Sequence, residues 1–86
     1  MASVRVLYFA KSREVAGVSE EAVQLAPQQG ITCAALVEEL QRRHPGLSSV
    51  LPSCVLAVNQ EYVQLTDRLQ LKSGDEVAVI PPLSGG

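Results

Sequence analysis

The chain closes on Pro81-Pro82-Leu83-Ser84-Gly85-Gly86, and this end holds the residues with the clearest chemical use. A carboxylate carried on two glycines can thread a narrow channel, because glycine has no Cβ and lets backbone approach a nucleotide phosphate closely. Pro81 and Pro82 fix φ and direct Leu83 to Gly86 away from the body. A carboxylate is a poor electrophile until activated. Joined to AMP, it becomes a mixed anhydride that sulfur or an amine can attack. The competing reading is a frayed end, the ordinary condition of termini. Residue chemistry alone leaves both readings open. Gly85-Gly86 is not a nucleotide loop, because no helix follows it.

The other reactive residue types point to structure. His44 precedes Pro45 and reads as the last residue of a helix, where the dipole favours a cation. One histidine with Cys33 and Cys54, far apart and without CxxC spacing, makes a poor zinc site, so no metal is expected. Cys33 falls on an apolar helix stripe and Cys54 opens an apolar strand, so both read as small buried hydrophobes. Glu20-Glu21 reads as a solvated edge before a strand rather than a catalytic pair.

The 86 residues suit one domain. Apolar residues make up 47% and charged residues 19%, which excludes a highly charged disordered chain. Net charge is −2 with both signs scattered. No basic block faces phosphates, so no nucleic-acid partner is expected. No apolar run approaches the roughly 20 residues a bilayer requires, so no membrane role is expected. Met1-Ala2-Ser3 leads directly into Val4-Arg5-Val6 with no secretory signal, which favours reduced thiols and a cytosolic protein.

Period-two alternation predicts a first strand over Val4–Ala10, with Val4, Val6 and Tyr8 on one face and Arg5 on the other. Lys11 to Gly17 suggests one helical turn. Ala22–Leu25 reads as a second strand. Thr32 is a candidate N-cap for a helix whose stripe is Cys33, Leu36, Val37 and Leu40, ending near His44 before Pro45-Gly46. Leu47–Pro52 reads as a link. Val55–Val58 reads as a strand buried on both faces, Asn59-Gln60-Glu61 as a turn and Tyr62-Val63 as a short return. An irregular connection fills Leu65–Leu71. Ser73-Gly74-Asp75 marks a turn before the last strand, Glu76–Ile80, which Pro81-Pro82 ends. This order predicts an α+β domain with one main helix on one face of a mixed sheet and the first and last strands as central neighbours. That is the β-grasp, or ubiquitin-like, arrangement, over 1–82, with 83–86 as a flexible tail.

Over essentially its whole length the chain resembles the small subunits of molybdopterin synthase. The resemblance rests on Val6–Lys11 with Glu14 and Gly17, on Arg43-His44-Pro45-Gly46-Leu47, on Ala57–Val63, and most specifically on Gly74–Gly86. It implies the same β-grasp fold and a sulfur-carrying role in molybdenum cofactor synthesis. An adenylating enzyme resembling ubiquitin-activating enzymes would join ATP-derived AMP transiently to Gly86, and sulfur would replace AMP to give a thiocarboxylate. No cofactor is implied as permanently bound. The loaded tail would enter the large catalytic subunit, in an assembly of two small and two large subunits, and donate sulfur to cyclic pyranopterin monophosphate. The pocket and catalytic residues would belong to that partner. Two related carriers stand as alternatives: a thiamine-pathway sulfur carrier, whose chains tend to be shorter and lack the Pro-Pro-Leu-Ser lead-in, and a ubiquitin-related modifier or tRNA-thiolation carrier, whose tail usually has His where this chain has Ser84. A plain interaction module leaves the tail unexplained.

Alternation also proposes a partner surface. If Val77 and Val79 meet the helix, Ile80 points away from it, and Leu7 and Phe9 lie on that same outer face. Tyr62, placed beside the end of the last strand, would extend the patch. Such a cluster is costly in a solitary monomer and ordinary in an obligate subunit. The alternative is a loop folded over it.

Overall fold

The first strand is set by valines whose side chains all point one way. Val4, Val6 and Tyr8 of β1 (Ala2–Tyr8) are buried, while Arg5 is exposed and Leu7 half-buried on the other face. The computed structural model describes residues 2–25, 32–63 and 70–82. β1 pairs antiparallel with β2 (Glu20–Leu25) and parallel with β5 (Glu76–Ile80). On the other side of β5, β3 (Val55–Val58) pairs antiparallel, and β4 (Glu61–Val63) closes the edge. The order is β2-β1-β5-β3-β4, so the first and last strands are adjacent and central. This is the β-grasp arrangement that the element order predicts.

The main helix, α2 (Cys33–Arg43), begins where the sequence indicates. The Thr32 hydroxyl accepts the Ala35 N–H at 3.1 Å, and His44 caps the other end just before Pro45. Cys33, Leu36 and Leu40 face the sheet and meet Val4, Val6, Tyr8, Val23, Leu56, Val77 and Val79 in one core.

Several local expectations change. Lys11 to Gly17 holds α1 (Ala10–Ala16), seven residues rather than one turn, and Gly17 ends it at φ 79° with its N–H on the Arg13 carbonyl. Leu47–Pro52 is no plain link. It forms two 3₁₀ turns, Pro45–Ser49 and Leu51–Ser53, which drive Leu47 and Leu51 into the core. β3 is not buried on both faces along its length, because Val55 is 46% exposed on the face away from the helix. Cys54 is buried but lies just ahead of β3, with its Sγ 3.2 Å from the Val50 carbonyl, and burial pushes its thiol pKa up. β2 starts at Glu20, two residues before its expected start. The hairpin turn at Asn59-Gln60 has both residues at positive φ, 51° and 73°, as the twist of a two-residue connection demands. Most of the expected connection over Leu65–Leu71 falls outside the described residues. Within them, Gln70 bridges to Thr32 and Leu71 is buried.

Candidate functional site

The route to the chain's end starts from the middle of the sheet. β5 lies between β1 and β3, so the chain leaves at Pro81-Pro82 from a strand hydrogen-bonded on both sides. Ser12 secures this exit. Its hydroxyl accepts the Phe9 N–H at 3.1 Å and donates to the Phe9 carbonyl at 2.7 Å, and it lies 3.3 Å from the Val79 carbonyl. The Phe9 N–H also points at Val79 O, at 3.3 Å. A buried hydroxyl here fastens the start of α1 to the last turn-free residues before the tail. Leu83, Ser84, Gly85 and Gly86 lie outside the described residues.

On the helix-free face, strand register sets Leu7, Ala78, Ala57 and Tyr62 side by side across β1, β5, β3 and β4. Ile80 lies opposite Val55 in the neighbouring row. Phe9, Val55 and Tyr62 are 47%, 46% and 76% exposed, and Leu7, Ala78 and Ile80 are half-buried. Leu7, Phe9 and Ile80 therefore come together at the exit. Tyr62 does not flank the end of β5: β3 intervenes, and Tyr62 stands level with Ala78. Val55, which the unbroken apolar run made look buried, takes the place beside Ile80.

On the helix side, Glu21 departs from the solvated-edge reading. Opposite Val6 in the ladder, it faces inward. It accepts from the Tyr8 hydroxyl at 2.6 Å, from His44 Nε2 at 2.7 Å and from Arg43 Nη1 at 3.2 Å. An ionised carboxylate only accepts, so His44 donates through Nε2–H. Burial alone would raise the Glu21 pKa, but the hydrogen bonds from Tyr8 and His44 outweigh it and hold the carboxyl below its usual range. Burial, and then the bond to Glu21, push the Tyr8 phenol pKa up. Tyr8 and His44 meet edge to face, with ring centroids 5.9 Å apart. This cluster braces β1, β2 and the end of α2. Its hydroxyl, carboxylate and imidazole are engaged with one another. Among the described residues no group of three or more His, Cys, Asp or Glu side chains is placed to hold a metal ion, and no helix is long and apolar enough to cross a membrane.

An open cleft of about 840 Å³ lies beside the exit, between α1, the Gly17–Ser19 turn and Pro81-Pro82, with Lys11 and Arg13 on its wall. Sequence reasoning missed this cleft because it is assembled from three separate segments. It also missed Ser12, although the spacing from Phe9 to Ser12 is that of an N-terminal helix cap.

The described site thus has an exit fixed at the sheet's centre and an apolar face next to it. The sequence profile of the ThiS family matches residues 6–86. The chain belongs to the ThiS family. Relatives align over nearly all of it. A molybdopterin synthase sulfur carrier subunit of Chlamydomonas reinhardtii is 54% identical over 83 residues, covering 96% of this chain and 98% of the relative. The protein of the same description from Homo sapiens is 51% identical, covering 100% of this chain and 97% of the relative. Among solved structures, the complex of subunits 1 and 2 of the molybdopterin-converting factor of Helicobacter pylori contains a chain that superposes with a TM-score of 0.69 at 25% identity, covering 98% of this chain and 99% of that one.

Proposed function

We propose that this chain is the sulfur carrier subunit of molybdopterin synthase, working through the carboxylate of Gly86. The observation that carries this reading is the near end-to-end match to sulfur carrier subunits at 54% and 51% identity. The geometry supports it: the chain leaves at Pro81-Pro82 from a braced central strand, with an apolar face beside the exit. In the reaction sequence, the Gly86 carboxylate attacks the α-phosphate of ATP and pyrophosphate leaves. A sulfide equivalent from a sulfur donor then attacks the acyl carbon of the adenylate and displaces AMP, leaving a thiocarboxylate. That sulfur passes to cyclic pyranopterin monophosphate in the large subunit, water restores the carboxylate, and two transfers complete the dithiolene. The domain over 1–82 supplies docking, and residues 83–86 supply reach. Catalysis belongs to the large subunit, in an assembly of two small and two large chains in the cytosol, with a separate adenylating enzyme serving Gly86.

The test has two readouts. Incubation with ATP, an adenylating enzyme and a sulfur donor should raise the intact mass by about 16 Da, the replacement of one oxygen by sulfur at an activated acyl group. Co-purification with the large subunit of molybdopterin synthase, rather than with a thiazole-forming enzyme, should identify the acceptor. No mass gain, or a stable complex with a different acceptor, sinks the reading.

A further inference from the structure

The cleft beside the exit continues onto the outer sheet face. A second hollow of about 290 Å³ opens between Leu7 and Phe9 and shares Ala10, Arg13 and Ser19 with the larger one. One groove therefore runs from the apolar face, past Arg13, to Pro81-Pro82. Its rims hold two apolar side chains open to solvent, Phe9 at 47% and Val18 at 42%.

Some of the charges in this groove pair within the chain, as Arg5 and Glu20 do in the smaller hollow, but others are left unpaired among the described residues. Among the described residues, Arg5, Arg42 and Arg43 each pair with a glutamate. Among the described residues Lys11 and Arg13 have no ion pair, and both line the larger cleft, where Glu14 is the acidic neighbour. In a chain of net charge −2, the wall of the groove is locally cationic. Guanidinium and ammonium groups left unpaired between exposed apolar side chains match a polypeptide that brings carboxylates and an apolar side chain together.

We propose that this groove binds an acidic segment of the protein that receives the tail, as a second contact beyond the outer sheet face. The proposal rests on the carrier reading above. Position supplies the link: a segment seated between α1 and Pro81-Pro82 lies against the root of the tail, so whatever accepts Gly86 must pass beside it. A cationic wall at that point steers a complementary acidic surface into register and speeds encounter, an effect that salt weakens.

The probe is the cognate large subunit of molybdopterin synthase, titrated with the full chain at low and high salt. The double variant Lys11→Glu/Arg13→Glu should weaken binding about tenfold or more and flatten the salt dependence, because these charges supply it. Lys11→Gln/Arg13→Gln should give a smaller loss in the same direction. Both residues are exposed, so thermal melts should match the parent chain. Ile80→Asp is read in parallel to separate the two ideas. If Ile80→Asp weakens binding while both charge variants keep wild-type affinity and salt slope, the groove proposal is overturned and the carrier reading stands. If the wild-type chain does not bind the large subunit at all, both fall.

Discussion

The Tyr8 hydroxyl donates to the Glu21 carboxylate at 2.6 Å, tying β1 to the edge strand β2 on the side covered by α2. His44 and Arg43, from the end of α2, close on the same carboxylate. Removing its charge leaves three donors poorly matched in a half-buried place. Glu21→Gln should therefore cost about 1–3 kcal/mol of stability near neutral pH. The pH dependence follows from the direction of the shift. The folded pKa lies below the ordinary glutamate value, so this contribution is fully present above the unfolded pKa and is lost as pH falls through the folded value. Urea melts at pH 7 and pH 3 should show the wild type's advantage over Glu21→Gln shrinking in acid. An equal gap at both pH values would show that charge at Glu21 is not what matters.

Gly46 sits where the first 3₁₀ turn presses on α1. A Cβ built there comes 2.8 Å from Val15 Cγ1, and Val15 is a short, branched side chain packed against the core. Neither group can retreat without shifting backbone, so Gly46→Ala should destabilise by about 1–3 kcal/mol. Trimming the neighbour should recover part of it: Gly46→Ala/Val15→Ala should lose less than the sum of its single changes. Additive losses in chemical denaturation would place the strain elsewhere.

These two sites mark the limit of what the sequence reveals. Alternation in Val4, Val6 and Tyr8, the Thr32 cap and Pro45 after the helix are local signals, and local physics decides them. The facing of Leu7 and Ile80 follows from parity along one strand and was equally legible. Glu21 was not, because its inward face depends on which residue of β1 it opposes. Leu47 and Leu51 sit in a stretch rich in Ser, Pro and Gly that resembles a loop, yet tertiary packing buries them. Tyr62's position required the strand order, since β3 rather than β4 adjoins β5. The groove needed three dimensions from the outset, because α1, the Gly17–Ser19 turn and Pro81-Pro82 share no sequence pattern.

The outer face gives a third prediction. Ile80 is half-buried and Phe9 is 47% exposed on the side away from α2, so neither fills the core. Ile80→Asp and Phe9→Asp, made separately, should leave the melting transition nearly unchanged. Each should weaken the complex with the large subunit by about 2 kcal/mol or more if it is a central anchor. Val55→Asp belongs in the same set, because register places it beside Ile80. Calorimetry of the three variants reads the effect directly. Normal binding by all three would move the contact off this face.

The last prediction concerns Gly86 and Gly85. Among the described residues, no core side chain follows Val79, and Pro82 is exposed. Deleting Gly86 should therefore leave the melting temperature within the scatter of surface changes, about 0.5 kcal/mol or less. It should abolish the mass gain on sulfur loading, because Ser84-Gly85 then ends one residue short of the activating centre. Gly85→Val separates reach from shape. The chain keeps its length, but a β-branched side chain narrows the backbone and fills the space a close-fitting channel leaves for glycine. This variant should fold normally, bind the large subunit through the outer face and still fail to load. Mass spectrometry reads the loading and thermal denaturation reads the fold. If Gly86 deletion still acquires sulfur, the reactive carboxylate is not at this end. If either change lowers stability by several kilocalories per mole, the tail is part of the folded domain.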